Sequence, residues 1–168
     1  MRDVDWVEAT LHGEVFEDED LTGARFNAAV LTSCAFLRCR FRGASFFDAE
    51  LVECKLTGSV FEGATLRPMR VTGGDWSYVS LRAADLRGVS FAGVRLREAD
   101  LSEADLSGGS LAGADLSMAR LRGTRLDGCD LRGARVDGTD LSAADLRGAL
   151  LDVPQAVALA RCLGASVE

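Results

Sequence analysis

Large apolar residues recur at every fifth position of this chain. The ladder runs from Trp6 through Leu11, Phe16, Leu21 and Phe26 to Leu146 and Leu151, and it never slips register. A five-residue period fits neither the 3.6 of an α-helix nor the 2 of a continuous strand. A fixed short period marks a repeat architecture. The residue two before the ladder position is usually small, as at Ala24, Ala29, Cys34, Cys39, Ala44 and Cys54. Positions two apart share one face of an extended segment, so large and small residues both point inward. The residue two after is often glycine, as at Gly23, Gly43, Gly63, Gly88 and Gly113, which permits the positive φ of a tight turn.

Each pentad is therefore a short strand and a corner. Stacked coils bury one large side chain per pentad, each contributing about 1.5–3 kcal/mol before chain entropy is counted. Residues 66–78 are the least regular: Pro68 stands at a corner, Met69 and Gly74 take small inward sites, and Trp76 is oversized. A changed turn is expected there, with Gly74 making room for the Trp76 indole.

The runs Ala84-Asp85-Leu86-Arg87-Gly88, Ala104-Asp105-Leu106-Ser107-Gly108 and Ala144-Asp145-Leu146-Arg147-Gly148 resemble the repeat of the pentapeptide-repeat proteins. That resemblance implies an all-β solenoid, a right-handed quadrilateral parallel β-helix with four pentads per coil. The boundaries expected are an N-terminal cap at 1–10, the β-helix at 11–151 and a C-terminal helix and tail at 152–168. About seven coils at about 4.8 Å per step make a rod about 34 Å long. After Leu151, Asp152 suits a helix N-cap and Pro154 the first turn. Ala156, Val157, Leu159, Ala160 and Leu163 form an apolar stripe. So short a helix is marginal alone, and must pack on the last coil or on a second chain.

The formal net charge is −7, and residues 1–20 carry all of it, while residues 21–168 balance. This disfavours nucleic-acid binding, which needs a basic surface. No apolar stretch approaches a membrane span, and the chain reads as cytoplasmic. Cys34, Cys39, Cys54 and Cys129 sit at small inward sites and read as buried thiols in a reducing compartment; Cys34 and Cys54 stack one coil apart, within reach of a bridge in an oxidising one. His12 is the only histidine. No catalytic set, metal-ligand spacing, cofactor site or phosphate loop appears, so the reading is non-enzymatic.

Residues one before the ladder, taken 20 apart, alternate in sign: Lys55, Asp75, Arg95, Asp115, Arg135, and again Asp100, Arg120, Asp140. Asp85 and Asp105 break the alternation and, with Glu98, Asp100 and Glu103, make the main acidic candidate outside the N-terminal coil. Within the family, the pentads and the ending Leu151-Asp152-Val153-Pro154-Gln155 are most similar to the mycobacterial fluoroquinolone-resistance branch, and more distantly to the Qnr proteins. Qnr proteins carry projecting loops, for which this unbroken register has no room. The similarity implies a homodimer joined through Leu150, Leu151, Val153, Val157, Leu159 and Leu163, forming a DNA mimic that engages DNA gyrase. Asp85, Glu98, Asp100, Glu103, Asp105 and Asp115 would stand in for DNA phosphates. The alternative is a scaffold module that binds another protein. Its site would be the chargeless surface of Ser90, Ala92, Ser110 and Ala112, or a patch of Phe47, Leu37 and Val52. Docking through the acidic N-terminal coil is a third reading.

Overall fold

The computed structural model describes residues 2–168. Asp5 pairs with Arg25, Thr10 with Val30, Val15 with Ala35 and Asp20 with Arg40, all parallel. Four pairing columns, each returning after one coil, give the solenoid four sides. Face 1 carries the ladder residues Trp6, Phe26, Phe46 and on to Leu146. Face 2 carries Leu11 to Leu151, face 3 Phe16 to Val136, and face 4 Leu21 to Leu141. Pairing starts at Asp5, inside the segment expected to be a separate cap, and continues to the Asp130–Leu150 pair.

Longer strands form only where β-branched and aromatic residues cluster. On face 2, β1 (Thr10–His12), β3 (Val30–Thr32), β5 (Ala49–Val52) and β6 (Met69–Thr72) lie side by side; on face 3, β2 (Val15–Glu17) pairs with β4 (Ala35–Leu37). Inside, like residues stack coil on coil. The rings of Phe26 and Phe46 stack 4.5 Å apart, those of Phe41 and Phe61 4.7 Å, and Phe36 meets Phe41 edge-on at 5.5 Å. Such pairs add about 0.5–1.5 kcal/mol beyond their burial. Beyond Trp76 and Phe91 the stack continues in leucine.

At most corners the third residue after the ladder position donates back to it, as Ala24 N–H does to the Leu21 carbonyl at 3.1 Å. The corner residue itself is left-handed, as at Gly23 (φ 70). Non-glycine residues hold the same conformation at Ala28, Arg38, Ala83, Tyr78 and Met118, which the glycine pattern did not foretell. Pro68, after a cis Arg67–Pro68 bond, and Ala143, ending a 3-10 turn at Leu141–Ala143, depart from it. Register survives the irregular stretch, because Met69 and Val71 pair with Ala49 and Leu51. At Gly74 a β-carbon would lie 2.2 Å from the Cys54 carbonyl oxygen, so the site needs glycine for the close approach of the backbone.

Helix α1 (Val153–Cys162) closes the described rod with side chains that replace a missing coil. Asp152 caps the helix and also accepts from Gly133 N–H at 2.6 Å. Gln155, fully buried, donates to the Ala134 carbonyl at 2.9 Å. In earlier coils the equivalent groups pair with the next coil, as Gly113 N–H does with Arg132. The packed face of α1 includes Gln155, Ala158 and Leu159, whereas Ala156 and Leu163 of the expected stripe are exposed.

Candidate functional site

The six candidate carboxylates do not share a surface. Asp85 and Asp105 pair directly on face 1, Asp115 lies on face 3 and Asp100 on face 4. Glu98 sits on the corner between faces 3 and 4, and Glu103 on the corner between faces 4 and 1. Proximity in sequence made them resemble one patch; Glu98, Asp100, Glu103 and Asp105 wind about a third of the way round a single coil.

Each aspartate has a local task. Asp100, Asp105 and Asp115 accept from the backbone N–H two residues on, at Ser102, Ser107 and Ser117, all at 3.0 Å. This is the side-chain turn that Asp favours. It folds the carboxylate against the coil and leaves these three side chains only 23%, 20% and 18% exposed. Partial burial acts to raise their pKa values. The serine hydrogen bonds, with Arg120, Arg125 and Arg135, outweigh it and leave all three below the usual carboxylate range.

Every candidate also has an arginine partner. Asp85 lies 2.7 Å from both Arg67 and Arg87, whose hydrogen bonds hold it far below the usual range. Asp105 meets Arg125 at 3.3 Å, Asp115 meets Arg135 at 3.8 Å and Asp100 meets Arg120 at 3.9 Å. Glu103 meets Arg82 at 2.6 Å. Glu98 lies 3.6 Å from Arg97 and accepts from the Tyr78 hydroxyl at 3.2 Å. The like-charged contact of Asp85 with Asp105 is thus offset by arginines on both sides. Exposed pairs of this kind contribute about 0–1 kcal/mol each, and their main effect is to cancel the surface field.

The apolar candidates separate as well. Phe47 is 51% exposed on face 1, while Val52 and Leu37, both half-buried, lie on faces 2 and 3. Ser90, Ala92, Ser110 and Ala112 do share face 2, where Ser90 pairs with Ser110. At the C-terminal end Leu150, Val153 and Leu163 are exposed, and Leu151, Val157 and Leu159 are half-buried. The five cysteines are free thiols. Burial pushes Cys54 and Cys129 up to about 11 and about 12. Inward hydroxyls make hydrogen bonds across coils that the sequence reading missed: Ser59 donates to the Phe36 carbonyl at 2.9 Å and Thr124 to that of Leu101 at 2.8 Å. Their signal was their position, in place of alanine in the small inward column. His12 is exposed. Among the described residues no group of three or more His, Cys, Asp or Glu is placed to hold a metal ion. No helix there is long and apolar enough to cross a membrane.

The profile of the pentapeptide-repeat family, a block of eight copies, matches residues 15–46, 24–63, 77–111 and 110–148. That is well over half of the chain, which therefore belongs to the pentapeptide-repeat family. Among solved structures it is similar to a trypsin-treated form of QnrB1, described as a plasmid-mediated fluoroquinolone resistance protein. The identity is 25% and the TM-score 0.81, over 100% of this chain and 88% of that one. Full-length QnrB1 matches at 21% identity and a TM-score of 0.75, over 98% and 97% of the two chains, and shows the common fold. Among curated proteins no sequence matches significantly.

Proposed function

We propose that this chain is a non-enzymatic, cytoplasmic protein-interaction rod that binds DNA gyrase or a related type II topoisomerase, and modulates it or protects it from fluoroquinolone-type poisons. The observation that carries this reading is the similarity to QnrB1 along the whole chain. The rod works as a homodimer joined at the α1 end, where Leu150, Val153 and Leu163 are 47%, 76% and 71% exposed, and where Leu151, Val157 and Leu159 complete the contact. Val157→Asp or Leu159→Asp should give monomers in light scattering. A monomeric wild-type chain at micromolar concentration would sink the dimer.

DNA mimicry then depends on carboxylates that can trade an arginine of this chain for a cation of the enzyme. Asp85, Glu98 and Glu103, at 48%, 39% and 56% exposure, are better placed for that than Asp100, Asp105 and Asp115. Neutralising the three exposed groups together should weaken any effect on gyrase at least tenfold while the fold survives; an unchanged effect removes them from the interface. The internal pairing of all six carboxylates supports a second reading, a scaffold for a partner other than a topoisomerase. Absence of any effect on supercoiling would favour it.

A further inference from the structure

Coil pairing breaks inside the rod, on faces 1 and 2, between residues 63–73 and 82–92. Thr65 does not bridge to Asp85, nor Arg70 to Ser90. Six backbone hydrogen bonds are missing there. Gly63, Leu66, Val71 and Gly73 N–H do not donate to the Arg82, Asp85, Ser90 and Ala92 carbonyls, and Asp85 and Ser90 N–H do not donate to those of Ala64 and Met69. One coil further on, Ala83, Leu86, Phe91, Gly93, Asp105 and Ser110 make all six equivalents. Faces 3 and 4 stay closed: Phe61 N–H donates to the Ser80 carbonyl at 3.0 Å, and Trp76 N–H to that of Arg95 at 2.8 Å. Bonds at the margins of the break are long. Ala64 N–H reaches the Phe61 carbonyl at 3.3 Å, and Arg95 N–H that of Gly74 at 3.2 Å.

The residues explain the break. Pro68 has no N–H to offer the next coil, where the other corners of its column use one. The small inward column of face 2 reads Ala29, Ala49, Met69, Val89, Gly109, Cys129. Met69 and Val89 thus put two large side chains, one coil apart, into sites that elsewhere hold small ones, and prop the coils open. The core is thinly covered there. Met69, Val71 and Ala84 are 6%, 9% and 8% exposed, against 0%, 1% and 0% for Ala49, Leu51 and Ala104. A cavity of about 440 Å³ lies on the face 1 side, lined by Phe47, Ala64, Leu66, Arg67, Pro68 and Asp85. Apolar contact crosses the break on these faces, with one ion pair among the described residues, Arg67 to Asp85 at 2.7 Å.

We infer that this break is a hinge. The coils on its two sides swing about the intact pairing of faces 3 and 4, and the rod opens and closes along faces 1 and 2. In a solenoid each coil is held by its neighbours alone, so one weak joint moves a whole half of the rod. Apolar contact is non-directional and tolerates such movement, whereas a ladder of short hydrogen bonds does not. The Arg67–Asp85 pair is the latch, and Asp85 keeps Arg87 when Arg67 lets go. The hinge belongs to the free rod, so it stands or falls apart from the topoisomerase reading.

Spin-label distances across the break test it. Cys162→Ser removes the exposed thiol and leaves four buried ones. Labels at Arg25→Cys with Arg125→Cys span the break on face 1, and labels at Arg40→Cys with Arg120→Cys span it on face 4. Dilution with unlabelled protein confines the signal to distances within one rod. The face 1 distribution should be at least about twofold wider than the face 4 one, and wider still in Arg67→Ala. Pro68→Gly with Met69→Ala restores the residue types that the neighbouring corner and inward sites carry, as at Gly88 and Ala49. The face 1 distribution should then narrow to the width of face 4, and the Leu66 and Val71 amides should exchange as slowly as those of Leu86 and Phe91. Equal widths on the two faces of the unrepaired rod overturn the inference, whether or not the double variant folds. So does a face 1 width that the repair leaves unchanged.

Discussion

Gln155 gives the sharpest test of how the rod ends. Its amide nitrogen donates to the Ala134 carbonyl at 2.9 Å, and its amide oxygen accepts from Asp152 N–H at 2.9 Å. Gln155→Ala leaves both backbone groups without partners. A buried unsatisfied group costs about 1–3 kcal/mol. Asp152 is half-buried and regains some water, so we expect about 2–4 kcal/mol in all. The loss should be local, because each coil of a solenoid contacts only its neighbours. Amide exchange at residues 133–139 should therefore speed up about 30- to 1,000-fold, at about 1.4 kcal/mol per tenfold. Amides near Phe26 and Phe46 should keep their rates. Gln155→Glu, which loses the donor and sets a carboxylate against a carbonyl, should be no better. Unchanged exchange at 133–139, or uniform acceleration along the rod, would refute the idea that α1 supplies the pairing of a missing coil.

Gly74→Ala should be among the most damaging single-methyl changes, lowering stability by more than about 3 kcal/mol in urea unfolding. Its β-carbon would meet Cys54 backbone at 2.2 Å and its φ is 95; a mild effect would show that the coils can part there. Ala83→Gly, at φ 55 with an exposed side chain, should raise the melting temperature, the gain being about 0.5–1 kcal/mol; a lower one would mean that the corner is not strained. Acid should weaken the fold late. The turn aspartates titrate below their unfolded value of about 3.9, and Asp130, held by Arg132, falls to about 2. The stability they contribute is fully present above about pH 4, and is lost as pH falls through the folded values. The urea midpoint should hold from pH 7 to about 4 and drop between about 4 and 2; a midpoint constant to pH 2 contradicts the turn role of these carboxylates.

Much of the fold was legible because every pentad must place one large residue inside, and a ladder from Trp6 to Leu151 admits one register. The 20-residue columns followed, and Lys55, Asp75, Arg95, Asp115 and Arg135 do stack in order. What escaped was the direction of individual side chains. Asp105 and Ser107 spell a side-chain turn, a signal present in the sequence but hidden behind the repeat's charge pattern. Glu98 and Glu103 fall on different corners because five residues turn the chain through one side of a square. Gln155 was passed over as polar, yet it is fully buried, since the last coil offers a carbonyl that only a side chain can satisfy. Tyr78 and Met118 gave no warning of their left-handed backbone, because coil pairing and not residue type imposes it.

The most direct test of the functional account is a supercoiling assay with purified gyrase, titrating this protein with and without a fluoroquinolone. The account predicts inhibition of supercoiling, or relief from drug-induced cleavage, at micromolar protein. No effect on gyrase or on topoisomerase IV from a matched organism, with folded protein in hand, would contradict it.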